Sequence, residues 1–156
     1  MEARIQHHTN PIGAKAIKGF IAAGRAVLDA GVPHATLHLM EIRISQINGC
    51  AVCIDMHTKE AAHAGESQVR LHLVAAWREA TVFTEPERAA LELAEQGTRL
   101  ADGGEVTDEA WANAVKHYDE DQLTALVVAI ASLNAFNRLN AITRQPAGDY
   151  QPGQWG

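Results

Sequence analysis

The sequence has no dense cluster of lysine or arginine. Its 13 basic residues are outnumbered by 19 acidic ones, for a net charge of −6 and a pI near 5.7, so no nucleic-acid partner is expected. The opening stretch MEARIQHHTNPIGAKAIKGF has no uninterrupted apolar run and is broken by Glu2 and Pro11. Neither a secretory signal nor a membrane span is expected there, and the reading is a cytoplasmic protein with no membrane partner. Only two cysteines occur, both in one C-x-x-C. They do not make a structural disulfide framework in a reducing compartment, which leaves redox chemistry, metal binding or an inert packed pair. No internal repeat, linker or low-complexity tract divides the chain. Its 156 residues, 47% hydrophobic, suit one core, read as a single domain over 1–156 with an N-terminal arm at 1–10, a helical core at 11–144 and an irregular tail at 145–156.

What is present centres on Leu37 to His57, LHLMEIRISQINGCAVCIDMH. Leu37 to Ile47 reads as a helix, Asn48-Gly49 as the turn that ends it, and Cys50 as the start of the next helix. At about 100° per residue, Cys50, Cys53 and His57 then fall within a wedge of roughly 60° on one helix face. The helix start at Cys50 favours a thiolate through its exposed amides and dipole. On the preceding helix His38, Glu41 and Ser45 form a narrow polar strip between apolar neighbours. Buried, it needs partners, because an unpaired polar group costs about 1–3 kcal/mol. Across a short turn the Cys/His face is the natural partner, and a hairpin folded about Gly49 sets Glu41 roughly opposite His57.

The rest of the pattern is helical throughout, which predicts an all-α fold. Thr9-Asn10-Pro11 opens a first helix with an apolar face from Ile12 to Leu28 and a stop at Gly31; its glycines Gly13, Gly19 and Gly24 permit close helix packing. Val32-Pro33-His34 opens the second. The third runs from about Cys50 to Ala64 and the fourth from about Ser67 to Glu79. Thr84-Glu85-Pro86-Glu87 has the form of a capping box for the fifth, whose end is blurred by Gly97. Thr107 caps a short sixth helix through Val115. The last, from about Glu120 to Thr143, contains TALVVAIASLNAF, apolar or small almost all round, which predicts a helix central to the core or at a subunit interface. Trp155 is expected to anchor the tail. His7, His8, His34, His63, His72 and His117 belong to no such constellation and are expected to be solvated.

Cys53 and His57 are spaced i, i+4, so the imidazole can take the proton of that thiol, while Cys50, one turn earlier, can resolve an oxidised Cys53 as a disulfide. SQINGCAVCIDMHTKEA, with the later WREATVFTEPERAALELAE, resembles the carboxymuconolactone decarboxylase superfamily on its AhpD-like alkylhydroperoxidase side, over residues 12 to 143. The resemblance implies an all-helical fold, homo-oligomers such as trimers or hexamers, and reduction of peroxides at the expense of a dithiol reductant, with no cofactor or metal. It also implies Cys53 as the peroxidatic thiol, Cys50 as its resolving partner and His57 as the motif histidine. The AhpD type carries a second histidine at the position of Val52 and a glutamate at that of His38. Here Glu41 or His38 could orient His57. Two rival readings are cofactor-independent decarboxylase or lactone chemistry on the same fold, and a metal-binding or structural protein using Cys50, Cys53, His57 and one of Glu41 or His38.

Overall fold

The computed structural model describes residues 2–154, so Trp155 lies outside the described residues. It contains α1 (Pro11–Leu28), α2 (His34–Asn48), α3 (Ala51–His63), α4 (Gln68–Leu73), α5 (Glu85–Thr98), α6 (Asp108–Val115) and α7 (Glu120–Thr143), with short 3-10 turns at Val74–Ala76 and Arg99–Asp102. No strand occurs among the described residues, and the all-α expectation holds. The helix ends follow from local chemistry. The Asn10 side chain accepts from the amides of Ile12 and Gly13, with Pro11 in the first turn. Thr84 with Glu87, and Asp119 with Gln122, form reciprocal capping boxes, each satisfying backbone donors that the helix itself cannot.

The central helix is α2. Leu39, Met40, Ile42 and Ile44 are each at most 1% exposed. Leu37, Met40 and Ile44 join Val27, Leu93 and Leu126 on one side, whereas Leu39 and Ile42 meet Leu71, Trp77 and Leu91 on the other. Burial on two sides explains why Leu39 and Ile42 stand off a single apolar face, and each such side chain contributes about 1.5–3 kcal/mol. By contrast α7 is less enclosed than its composition suggests. It packs along α1, α2 and α5, yet Val127 is 45% and Ile142 67% exposed. Length and composition alone would let α7 cross a membrane, but its buried side carries Asn134 and Asn137, both paired with polar groups of the protein.

Several expectations are corrected. The fourth helix ends at Leu73, not Glu79, and continues as a 3-10 turn. Beyond it the carbonyls of Trp77, Arg78 and Ala80 accept from the Arg88 guanidinium, and Trp77 turns inward to donate its Nε1 to Glu95 at 3.1 Å. The end of the fifth helix that Gly97 left open falls one residue past it, at Thr98, and the missing Cβ lets α7 approach, since one would sit 3.1 Å from Ile130 Cγ2. Of the first helix's glycines, Gly13 is needed because a Cβ there would strike the His7 carbonyl, while Gly19 and Gly24 have no close neighbour, so close packing does not account for them. His7 is buried rather than solvated, with its Nδ1 3.2 Å from Thr143 Oγ1.

The tail from 146 to 154 forms no helix but is fastened to the outer side of α3. Asp55 accepts from the Gly148 amide at 2.8 Å, and Lys59 Nζ donates to the carbonyls of Gly148 and Tyr150 at 2.9 Å each. Glu60 accepts from the Tyr150 hydroxyl and the Gly153 amide. Tyr150 is 6% exposed, so within the described residues it is the tail's aromatic anchor.

Candidate active site

The two cysteines owe their placement to the α2–α3 turn. Gly49 takes φ 65°, a left-handed conformation suited to glycine. The Cys50 amide then donates back to the Ser45 carbonyl at 3.0 Å. Cys50 itself is the extended N-cap residue of α3 and Cys53 lies in its first turn. Their Cα atoms are 5.3 Å apart and their sulfurs are bonded. The dithiol is in its oxidised form.

Both cysteines are buried, but they differ in what they face. Cys53 lines a cavity of about 520 Å³ between α1, α3 and α7, and Cys50 does not. The walls are mainly apolar: Ile17, Phe20 and Ile21 from α1, Met56 from α3, and Leu133 and Phe136 from α7. Phe20 and Phe136 meet edge to face with ring centroids 5.1 Å apart. Glu41, His57 and Asn140 bring the polar groups, and His8, exposed as expected, also borders this space.

His57 is held from behind. Its Nδ1 lies 3.0 Å from Glu41 Oε2, and His38 Nδ1 lies 3.3 Å from the same oxygen. The carboxylate therefore stands between the two imidazoles. Burial alone would raise the Glu41 pKa, but the charge of His57 and the hydrogen bonds of His38 and His57 outweigh it and bring the value to about 2. Glu41 is ionised at any physiological pH. The hydrogen bond to Glu41, helped by the charges of Glu41, Glu60 and Glu66, likewise outweighs burial and raises the pKa of His38. With Nδ1 as the donor to Glu41, Nε2 of a neutral His57 is the basic nitrogen. That atom is buried and has no hydrogen-bond partner among the described residues.

Of the polar strip on α2, Glu41 meets the Cys/His face. Ser45 instead pairs with α7: Asn137 Nδ2 donates to its hydroxyl at 3.3 Å. Asn140, also on α7, donates its Nδ2 to Cys53 Sγ at 3.4 Å, a contact absent from the sequence reading. Its signal was there, since asparagines at 134, 137 and 140 recur three apart on an otherwise apolar helix, and buried amides require partners. Among the described residues no group of three or more His, Cys, Asp and Glu side chains is arranged to hold a metal ion.

A general model of the carboxymuconolactone decarboxylase family matches residues 14–96. The uncharacterized protein YdfG of Bacillus subtilis (strain 168) is 36% identical over 140 residues, covering 90% of this chain and 93% of its own. A solved structure from Agrobacterium tumefaciens, of unknown function and proposed in its name to be the antioxidant defence protein AhpD, shares 33% identity and a TM-score of 0.86, over 96% of this chain and all of that one. The debrominase Bmp8 has a TM-score of 0.77 at 19% identity over 92% of this chain and 75% of its own, a likeness of fold alone. An all-helical frame, a C-x-x-C at the start of a helix and these matches lead to one conclusion: the chain belongs to the carboxymuconolactone decarboxylase family and has an AhpD-like fold.

Proposed function

We propose that this chain is a thiol-dependent peroxidase that cycles Cys50 and Cys53 between dithiol and disulfide. One observation carries the reading: a mainly apolar cavity is lined by both Cys53 and His57, the Nε2 of His57 has no hydrogen-bond partner among the described residues, and Cys53 is bonded to Cys50. The Cys53 thiolate attacks the outer oxygen of a hydroperoxide, the O–O bond breaks, and Cys53 becomes a sulfenic acid. The departing alkoxide takes back from His57 the proton that its Nε2 had removed from the Cys53 thiol, and leaves as an alcohol. The Cys50 thiol then displaces hydroxide, which leaves as water, and the S–S bond forms. A dithiol of unspecified identity supplies two electrons and two protons to reset the pair. Glu41 keeps the His57 tautomer fixed, and His38 buttresses Glu41. A cytoplasmic setting would keep such a donor reduced.

The decisive assay measures consumption of hydrogen peroxide and of organic hydroperoxides with several small dithiol donors, with thiols titrated before and after. Turnover is expected, with loss of two thiols per peroxide in single-turnover conditions. A brominated pyrrole belongs in the same panel because the debrominase shares the fold. Bromide release without peroxide consumption would replace this reading with reductive dehalogenation.

We also propose that the protein assembles with copies of itself. Apolar side chains left open on α1 and α7, with Ile21 at 43%, Leu28 at 50% and Val127 at 45% exposure, would be covered in a trimer or hexamer. Sedimentation at micromolar concentration is expected to give such an assembly, and a stable 16.8 kDa species would count against it.

A further inference from the structure

Along α7, Asn134, Asn137 and Asn140 face the redox turn at successive levels. Asn48, the last residue of α2, donates its Nδ2 to the side-chain oxygens of Asn134 at 2.9 Å and Asn137 at 3.0 Å. Asn137 in turn donates to Ser45, whose carbonyl receives the Cys50 amide. These two asparagines hold the turn. Asn140 does something different, because its amide donates to a sulfur, Cys53 Sγ, at 3.4 Å. Among the described residues Cys50 Sγ has no side-chain donor of this kind.

A neutral sulfur is a weak acceptor, whereas a thiolate is a strong one, so a fixed N–H aimed at one sulfur stabilises charge there once the disulfide is reduced. We infer that Asn140 is a positioning residue that places the thiolate of the reduced pair on Cys53. Two effects compete over that choice. Cys50 sits at the N-cap of α3, where the helix amides favour a thiolate, while Asn140 and His57 favour Cys53. Only Cys53 faces the cavity, so the amide directs the charge to the sulfur a substrate can reach. Reduction adds two electrons across the S–S bond; Cys50 takes a proton, and Cys53 keeps its charge against the Asn140 N–H. The titratable residues lining the same cavity are His57 on α3, Glu41 on α2 and His8 before α1, with none from α7. Removing Asn140 therefore changes the sulfur's environment without removing an ionisable group.

This assignment rests on the dithiol cycle proposed above, but its test needs no peroxide. The reduced protein is alkylated with iodoacetamide across pH, with each cysteine followed by mass spectrometry, and the disulfide's potential is measured against a dithiothreitol couple. In Asn140→Leu, which fills the space without a donor, the alkylation midpoint of Cys53 is expected to rise by about one pH unit or more, the size of a lost hydrogen bond to a charged group. The potential becomes more negative, because the reduced form has lost stabilisation. Asn140→Ser, which restores a donor, moves both values back toward the native ones. Asn137→Ala, which removes a turn-holding asparagine, leaves the Cys53 midpoint in place. An unchanged Cys53 midpoint in folded Asn140→Leu overturns the assignment, as does an equal shift in Asn137→Ala. Should Asn140→Leu fail to fold, the same two readings on Asn140→Ala decide. A shifted midpoint in a protein that consumes no peroxide keeps the role of Asn140 and removes the peroxidase reading.

Discussion

Cys50→Ser protein given one equivalent of an organic hydroperoxide is expected to gain one oxygen atom on Cys53 and go no further. The attacking sulfur is intact in this variant, but the thiol that would expel hydroxide from the sulfenic acid is gone. Cys53→Ser is expected to lose at least about 1000-fold in peroxide consumption, since the remaining thiol has neither an imidazole one turn ahead nor an opening onto the cavity. Intact-protein mass and sulfenic-acid trapping read the first result, and stopped-flow peroxide consumption reads the second. Oxidation appearing first on Cys50 of the unmodified protein would reverse the roles and mean that the helix-end amides prevail. If neither cysteine reacts faster than an unactivated thiol, the peroxidase reading falls with both.

The second large effect belongs to Glu41. Its carboxylate holds Nδ1 of His57 at 3.0 Å, and without that charge nothing fixes the tautomer that leaves Nε2 basic. Glu41→Gln is expected to slow the reaction with peroxide by about 10²-fold, the usual scale of a misplaced acid–base group. A parallel effect appears in stability. Glu41 has a folded pKa of about 2 against an ordinary 4.5. Its contribution is thus fully present above pH 4.5 and is lost as pH falls toward 2. Denaturant midpoints of the native protein and Glu41→Gln should therefore lie well apart near pH 6 and converge by pH 2. A constant separation across that range would show that the carboxylate's charge is not what the fold uses. His38, whose pKa is raised, acts with the opposite sign: its share is present below its unfolded value of 6.5 and fades as pH rises through the folded one.

Local chemistry was the legible part of this molecule. Thr84-Glu85-Pro86-Glu87 carries its own capping box, and Asn48-Gly49 its own turn, because the interacting atoms are a few residues apart. The meeting of Glu41 and His57 followed from the register of a hairpin whose two arms are both in the C-x-x-C region. What could not be read lay across long separations. Asn140 is 87 residues from the sulfur it touches, and helical periodicity says only that it shares a side of α7 with other asparagines. The carbonyls of Trp77, Arg78 and Ala80, just past the 3-10 turn, are taken up by Arg88, eight to eleven residues further on, so this stretch looked like continuing helix. The enclosure of α2 on two sides was hidden for a related reason: an apolar residue off the main face, such as Ile42, reads as noise until a second cluster is seen to cover it. His7, a histidine in an arm with no periodic pattern, offered no cue to its burial beneath Thr143.

The tail fastened along α3 limits how this gene segment can change length. One side of the helix holds Cys53 and His57 toward the cavity, while Asp55, Lys59 and Glu60 hold residues 148–153 on the outside. A single inserted or deleted codon between 53 and 60 turns everything beyond it by about 100°. Such a change disengages either the histidine or the clasp, and no compensating substitution nearby restores both. A change of length is therefore expected to be tolerated only where no helix register is at stake, such as residues 103–106 between the 3-10 turn and the cap of α6, while the stretch from Asn48 to Glu60 is expected to accept substitution alone.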